Sequence, residues 1–218
     1  MAEHKPVDAS KESEDNPEHV PEKASVALLL IDTINDMEFE DGEKLFEQSL
    51  PAAKKIAKLK RRVKAYDVPV IYVNDNYGRW QSDFRQLVDH CLENNVRGKP
   101  IVELLLPEDD DYFVLKPQFS AFFATPLDLL LDYLEVKTLI IAGFAGNMCV
   151  HFTVNDAYMR HYQTIVPSDC TASNTEESDL NSLEMMHALL KTNITSSDEL
   201  DLVEIIQKAN DYFKQQRK

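Results

Sequence analysis

Positive charge is what this chain is short of. Its 23 lysines and arginines face 38 aspartates and glutamates, for a formal net charge of -15. That balance argues against a nucleic-acid or anionic-membrane partner, because both need basic surface. Long apolar runs are missing as well. A run such as Val26–Ile31 falls far below the ~20 residues that cross a bilayer. The N-terminus carries no apolar core of a secretory signal, so the expectation is a cytoplasmic protein without membrane contact. Cysteine is rare: Cys91, Cys149 and Cys170 form an odd set without framework spacing, as in a reducing compartment, and no cysteine pairs suggest a metal. The six histidines show no ligand spacing, so neither metal nor other cofactor is expected. Glycine numbers only five, yet two of them, Gly143 and Gly146, sit in one stretch, IIAGFAGNMCVHF.

What is present describes an ordinary folded chain, 44% hydrophobic and 28% charged. Residues 1–23, rich in acids, lysines and prolines, bury too little to offset their ordering entropy and predict a disordered acidic tail. Residues 24–218 predict a single domain. SVALLLID is too continuously apolar for a half-exposed strand and fits a parallel strand covered on both faces. Strand and helix patterns then alternate. VPVIYVND, DYFVLKP, KTLIIAG, YQTIVPSD and a short last strand in NITSSDEL are separated by helical periodicities. Those helices include one from Ser49 with Ile56, Leu59 and Val63 on one face, and others with Ser82, Thr125, and either Thr175 or Ser178 as caps. This alternation predicts a doubly wound three-layer α/β/α domain with a mostly parallel six-stranded sheet.

In such sheets ligands bind outside the carboxyl ends of the strands. Three reactive residues lie just past strand ends: Asp32 in LLLID, Lys116 in YFVLK and Cys149 in the turn after IIAG. Each has a plainer role open to it, as turn residue, solvated cation or small buried hydrophobe. Together they are a nucleophile set. A thiol must lose its proton to attack a carbonyl; a carboxylate takes that proton, and an ammonium or a helix N-terminus favours the thiolate. The pattern predicts a thiol pKa lowered by Lys116. Gly143 and Gly146 bracket a turn that either aims N–H groups at a reacting oxygen or simply kinks the chain.

LLLIDTINDM, VLKPQFSAF and IIAGFAGNMCVHFTVNDAYMR, spanning Ser25 to Glu199, resemble the three signature segments of the isochorismatase-like cysteine hydrolases. That superfamily includes nicotinamidases and N-carbamoylsarcosine amidases. The resemblance implies a triad of Asp32, Lys116 and Cys149, a thioester intermediate, and release of ammonia or an amine from a small amide or carbamoyl substrate. It also implies an oxyanion hole from the N–H groups of Ala145 and Cys149, a cis Phe144–Ala145 peptide, and a homo-oligomer. The family's turn usually has threonine where Gly146 stands and an aromatic where Met37 stands, so the pocket wall differs here. The loop NDNYGRWQSDF lacks the histidines of metal-using nicotinamidases, and the cysteine favours C–N hydrolysis over vinyl-ether cleavage. Trp80, Tyr77, Phe119 and Met37 are candidate substrate-wall residues, with Trp80 equally able to pack beneath its loop. Cys91 and Cys170 read as packing residues, Asp36 as a loop holder, and PEDDDYF as a solvated turn. Two other readings stay open: a catalytically silent binding protein, and a thiol that senses oxidants.

Overall fold

A computed structural model describes residues 23–77 and 83–216. The expected tail up to residue 22, the Trp80 contact and the Ser82 cap lie outside the described residues. The sheet runs β3 (Tyr112–Lys116), β2 (Val70–Asp75), β1 (Val26–Ile31), β4 (Thr138–Phe144), β5 (Gln163–Ile165), all parallel. A two-residue β6 (Thr171–Ala172) pairs with the end of β4 at Gly143 and Phe144. Parallel neighbours require crossovers, and helices supply them. The helices are α1 (Gly42–Lys64), α2 (Phe84–Glu93), α3 (Lys99–Leu104), α4 (Leu127–Tyr133), α5 (His151–Met159), α6 (Glu176–Leu190) and α7 (Leu202–Gln216).

Side-chain alternation along the central strands splits the core into two. Val26, Leu28 and Leu30 of β1 join Ile56, Leu59 and Val63 of α1 and Leu202 of α7 on one face. Ala27, Leu29 and Ile31 join Leu127 and Leu131 of α4, Val154 of α5 and Leu183 of α6 on the other. Every residue of β1 is buried, which is why that segment reads as a continuous apolar run. Each fully buried leucine contributes roughly 1.5–3 kcal/mol relative to exposure. Strand order reverses between β1 and β4, so the crevice at their carboxyl ends is where a doubly wound sheet binds its ligand.

Five local expectations change. The first helix begins at Gly42, ahead of Ser49, and the Asp41 side chain accepts no capping hydrogen bond from the backbone of the first turn, so the usual start signal is missing. The short α3, opened by Pro100 in its first turn, is too brief to repeat the helical period. The last strand expected in NITSSDEL reduces to one bridge, Ile165 to Asn193. There the Asn193 side chain accepts from Thr195 N and Oγ1, a local turn that competes with strand pairing; the sixth strand is Thr171–Ala172. The α2 cap is Asp83, whose carboxylate accepts from Arg85 N at 2.8 Å. Nor is the acidic run simply solvated. Asp111 is buried and takes Lys60 at 2.6 Å and Lys64 at 2.9 Å, pinning the end of α1 beside β3.

Gly143 carries the tightest backbone requirement next to the site. Its φ is 129°, and a Cβ there would lie 2.1 Å from the Ile31 carbonyl oxygen. Both the dihedral and the immovable neighbour exclude a side chain. Gly143→Ala is expected to lower unfolding stability by about 3 kcal/mol or more. Thermal unfolding checks this; an unchanged midpoint would mean that β4 re-forms without the close approach.

Candidate active site

Asp32 follows β1 in a left-handed conformation, φ 50°, which aspartate tolerates better than most residues. Its N–H donates to Val73 O, and its Oδ1 accepts the Asp75 N–H at 2.7 Å. The ends of β1 and β2 therefore fix the carboxylate from both sides. Lys116 ends β3 and is wholly buried. Two strand spacings, about 9.6 Å, separate its strand from that of Asp32, and the long lysine stem helps to span them. Its Nζ lies 2.9 Å from Asp32 Oδ2, 3.4 Å from Cys149 Sγ, 3.2 Å from the Gln118 carbonyl and 3.8 Å from Asp75 Oδ2. The three residues singled out in the sequence thus meet at one ammonium.

Cys149 sits in a π-helical turn, Gly146–Val150, that runs into α5. The Phe144–Ala145 peptide before it is cis. The Ala145 carbonyl accepts from Met148 N and Val150 N, on either side of the cysteine. Thr153, one turn later, donates to the Cys149 carbonyl at 2.7 Å and accepts the Ala121 N–H at 3.0 Å. That threonine ties the Cys149 turn to the loop carrying Phe119.

Electrostatics at this rim are set by one cation serving several acids. Burial pushes the Asp32 carboxyl above the usual carboxylate range, against the pull of Lys116. Burial works against the Lys116 ammonium, but Asp32, Cys149 and Asp75 together outweigh it and the pKa is raised. The Cys149 thiol is pushed up to about 12 by burial first and the Asp32 charge second, with Lys116 opposing. This reverses the expected lowering. The sulfur is desolvated and shares its cation with a carboxylate that already claims it, so Cys149 rests as a thiol beside that carboxylate.

The other residues separate clearly. Tyr77 is half-exposed with φ 52°, and its N–H donates to Asp75 Oδ1. Phe119 is half-exposed and tilted against Phe152 at 5.5 Å. Met37 is fully buried in the α1-side core, so it offers no surface to a ligand. Asp36 holds its loop, accepting from Glu38 N by its side chain and from Gly98 N by its carbonyl. Cys91 and Cys170 are buried packing residues. His151 turns to Ser182 Oγ at 2.8 Å. Asp75 was not singled out in the sequence; it ends β2, and the strand-end rule would have placed it at this rim. Among the described residues no group of three His, Cys, Asp or Glu is placed to hold a metal. A groove of about 530 Å3 lined by Thr138, Gln163, Lys191 and Lys208 lies at the amino ends of β4 and β5, on the rim opposite this chemistry.

An Isochorismatase domain model matches residues 26–199. The chain belongs to the isochorismatase family. It is 43% identical over 178 residues to the uncharacterized isochorismatase family protein YaaI of Bacillus subtilis, covering 82% of this chain and 97% of that one. It is 32% identical to a protein of Arabidopsis thaliana named probable inactive nicotinamidase, covering 77% and 91%. A shorter stretch of 86 residues, 39% of this chain and 35% of the other, is 42% identical to the ureidoacrylate amidohydrolase RutB of Methylorubrum extorquens. The crystal structure of an isochorismatase-like hydrolase from Alkaliphilus metalliredigens superposes with a TM-score of 0.65 at 26% identity, covering 81% and 94%. The family and its neighbours include amidohydrolases acting on C–N bonds.

The inverted thiol electrostatics give a measurable signature. Alkylation of Cys149 by iodoacetamide, followed by peptide mass, should rise about tenfold per pH unit from pH 8 towards 11, without a plateau near 8.5. Removing the negative neighbour in Asp32→Asn should move the curve to lower pH, and Lys116→Met should move it higher. An ordinary midpoint unaffected by either change would refute the coupling.

Proposed function

We propose that this protein is a cysteine amidohydrolase for a small amide or carbamoyl substrate. The observation carrying the proposal is the buried ammonium of Lys116, in contact with both Asp32 and Cys149. Asp32 takes the Cys149 proton as sulfur attacks the substrate carbonyl carbon, and the C=O electron pair moves to oxygen. The N–H groups of Ala145 and Cys149 serve as the oxyanion hole. Collapse breaks the C–N bond, and the departing nitrogen takes the proton from Asp32, leaving a thioester and ammonia or an amine. Water, deprotonated by Asp32, attacks the thioester; the C–S bond breaks and the sulfur recovers a proton. Lys116 holds net charge near neutral while the anion moves between oxygen and sulfur.

The raised thiol supports proton transfer during attack over a standing thiolate. Burial raises both Asp32 and Cys149, so the base is better matched to its donor than a solvated carboxylate would be. Tyr77 and Phe119, both exposed, are assigned to the substrate wall together with Trp80, and a homo-oligomer is the working assembly. A silent binding protein is the second reading, favoured by the relative named as inactive.

Ammonia release across a panel of small amides, ureas and carbamoyl compounds decides between them. At least one compound should be turned over, with a thioester adduct on Cys149 detectable by intact mass. Cys149→Ala should reduce turnover to background, and Asp32→Asn should reduce it by about 10²–10⁴-fold. Turnover that survives Asp32→Asn rejects the mechanism; no turnover and no adduct anywhere in the panel favours the silent protein.

A further inference from the structure

A second buried acid lies behind the nucleophile turn, and the proposed chemistry does not use it. Asp179, in the first turn of α6, is 8% exposed. Its Oδ2 accepts from Thr171 Oγ1 at 2.9 Å and its Oδ1 from Ser173 Oγ at 2.7 Å. Ser173 Oγ in turn accepts the Asn147 N–H at 3.0 Å. Ser182, further along α6, donates to the Gly146 carbonyl at 3.2 Å. The Gly146 carbonyl and the Asn147 N–H belong to one peptide unit, so that plane is held at both ends. Gly146 lets the acid approach: a Cβ there would stand 2.0 Å from Asp179 Oδ1.

We infer that Asp179 is a positioning residue for Cys149, acting through Ser173 on the Gly146–Asn147 peptide. This rests on Cys149 being the nucleophile. A carboxylate only accepts hydrogen bonds, so it obliges both hydroxyls to donate to it. Ser173 then has a lone pair left for the Asn147 N–H, and that bond fixes the turn. The first turn of a helix favours a negative charge, which suits a carboxylate held by hydroxyls. Asp179 and Gly146 therefore act as a pair, since the acid occupies the volume a side chain at position 146 would fill.

The test combines kinetics on whichever amide is turned over with the pH profile of Cys149 alkylation. Asp179→Ala and Ser173→Ala should each lower kcat by about 10- to 100-fold with KM little changed, because the nucleophile is misplaced. The double variant should lose little more than either single one, because both interrupt one chain of contacts. Each should also move the alkylation midpoint down towards an ordinary thiol as the sulfur loosens from its buried seat. Gly146→Ala should cost less in the Asp179→Ala background than in the native one, because the atom its Cβ strikes is gone. Folded Asp179→Ala with native kcat and native alkylation overturns the inference, as does equal harm from Gly146→Ala in both backgrounds. If Asp179→Ala fails to fold, Ser173→Ala decides alone by the same two readouts. Should no amide be turned over by the native protein, the alkylation profiles still decide the positioning role, so its failure is distinct from failure of the hydrolase proposal.

Discussion

A single buried ammonium organises the rim of this sheet. Lys116 is fully enclosed, and a cation in that position persists only if its charge is met by ordered partners. Asp32 meets it most directly, with the thiol, a backbone carbonyl and Asp75 completing the surround. Those partners come from the ends of β1, β2 and β4 and the loop after β3, so the ammonium and the sheet edge depend on each other. Strand order turns residues remote in the chain into neighbours, and electrostatics then keeps them so.

The same arrangement explains why the thiol is not ionised at rest. Two acids share one cation in a desolvated place, and the carboxylate holds the stronger claim. Burial and the shared cation therefore leave both Asp32 and Cys149 above their ordinary ranges. Preorganisation here concerns where a negative charge is allowed to go. It also leaves the sulfur little prone to oxidation, since oxidants react with thiolates.

Much of this was legible from the residues. Asp32, Lys116 and Cys149 stood out because each ends a strand pattern, and a parallel sheet converts that shared property into proximity. The continuous burial of β1 was visible for the same reason. What stayed hidden depends on distances between segments. The sign of the Cys149 shift follows from the depth of the sulfur and the nearness of Asp32, neither of which spacing reveals. Asp111 looked like part of a solvated acidic turn because its lysines come from α1. Gly146 could be recognised as a constrained position, but the group that constrains it arrives from α6. Met37 looked like pocket wall because the resembling family usually has an aromatic at that position, whereas its side chain turns into the core.

The divided partner of β4 has a consequence for how copies of this chain behave when crowded. β4 pairs first with the three-residue β5 and then with the two-residue β6. Asn193 bridges β5 from outside, donating to Thr164 O and accepting from Val166 N. An incoming foreign strand finds no long row of open backbone groups on that flank, so fibril-type stacking has poor purchase there. The opposite flank, β3, offers five residues and an exposed Phe113, and any self-templated aggregation would start from it.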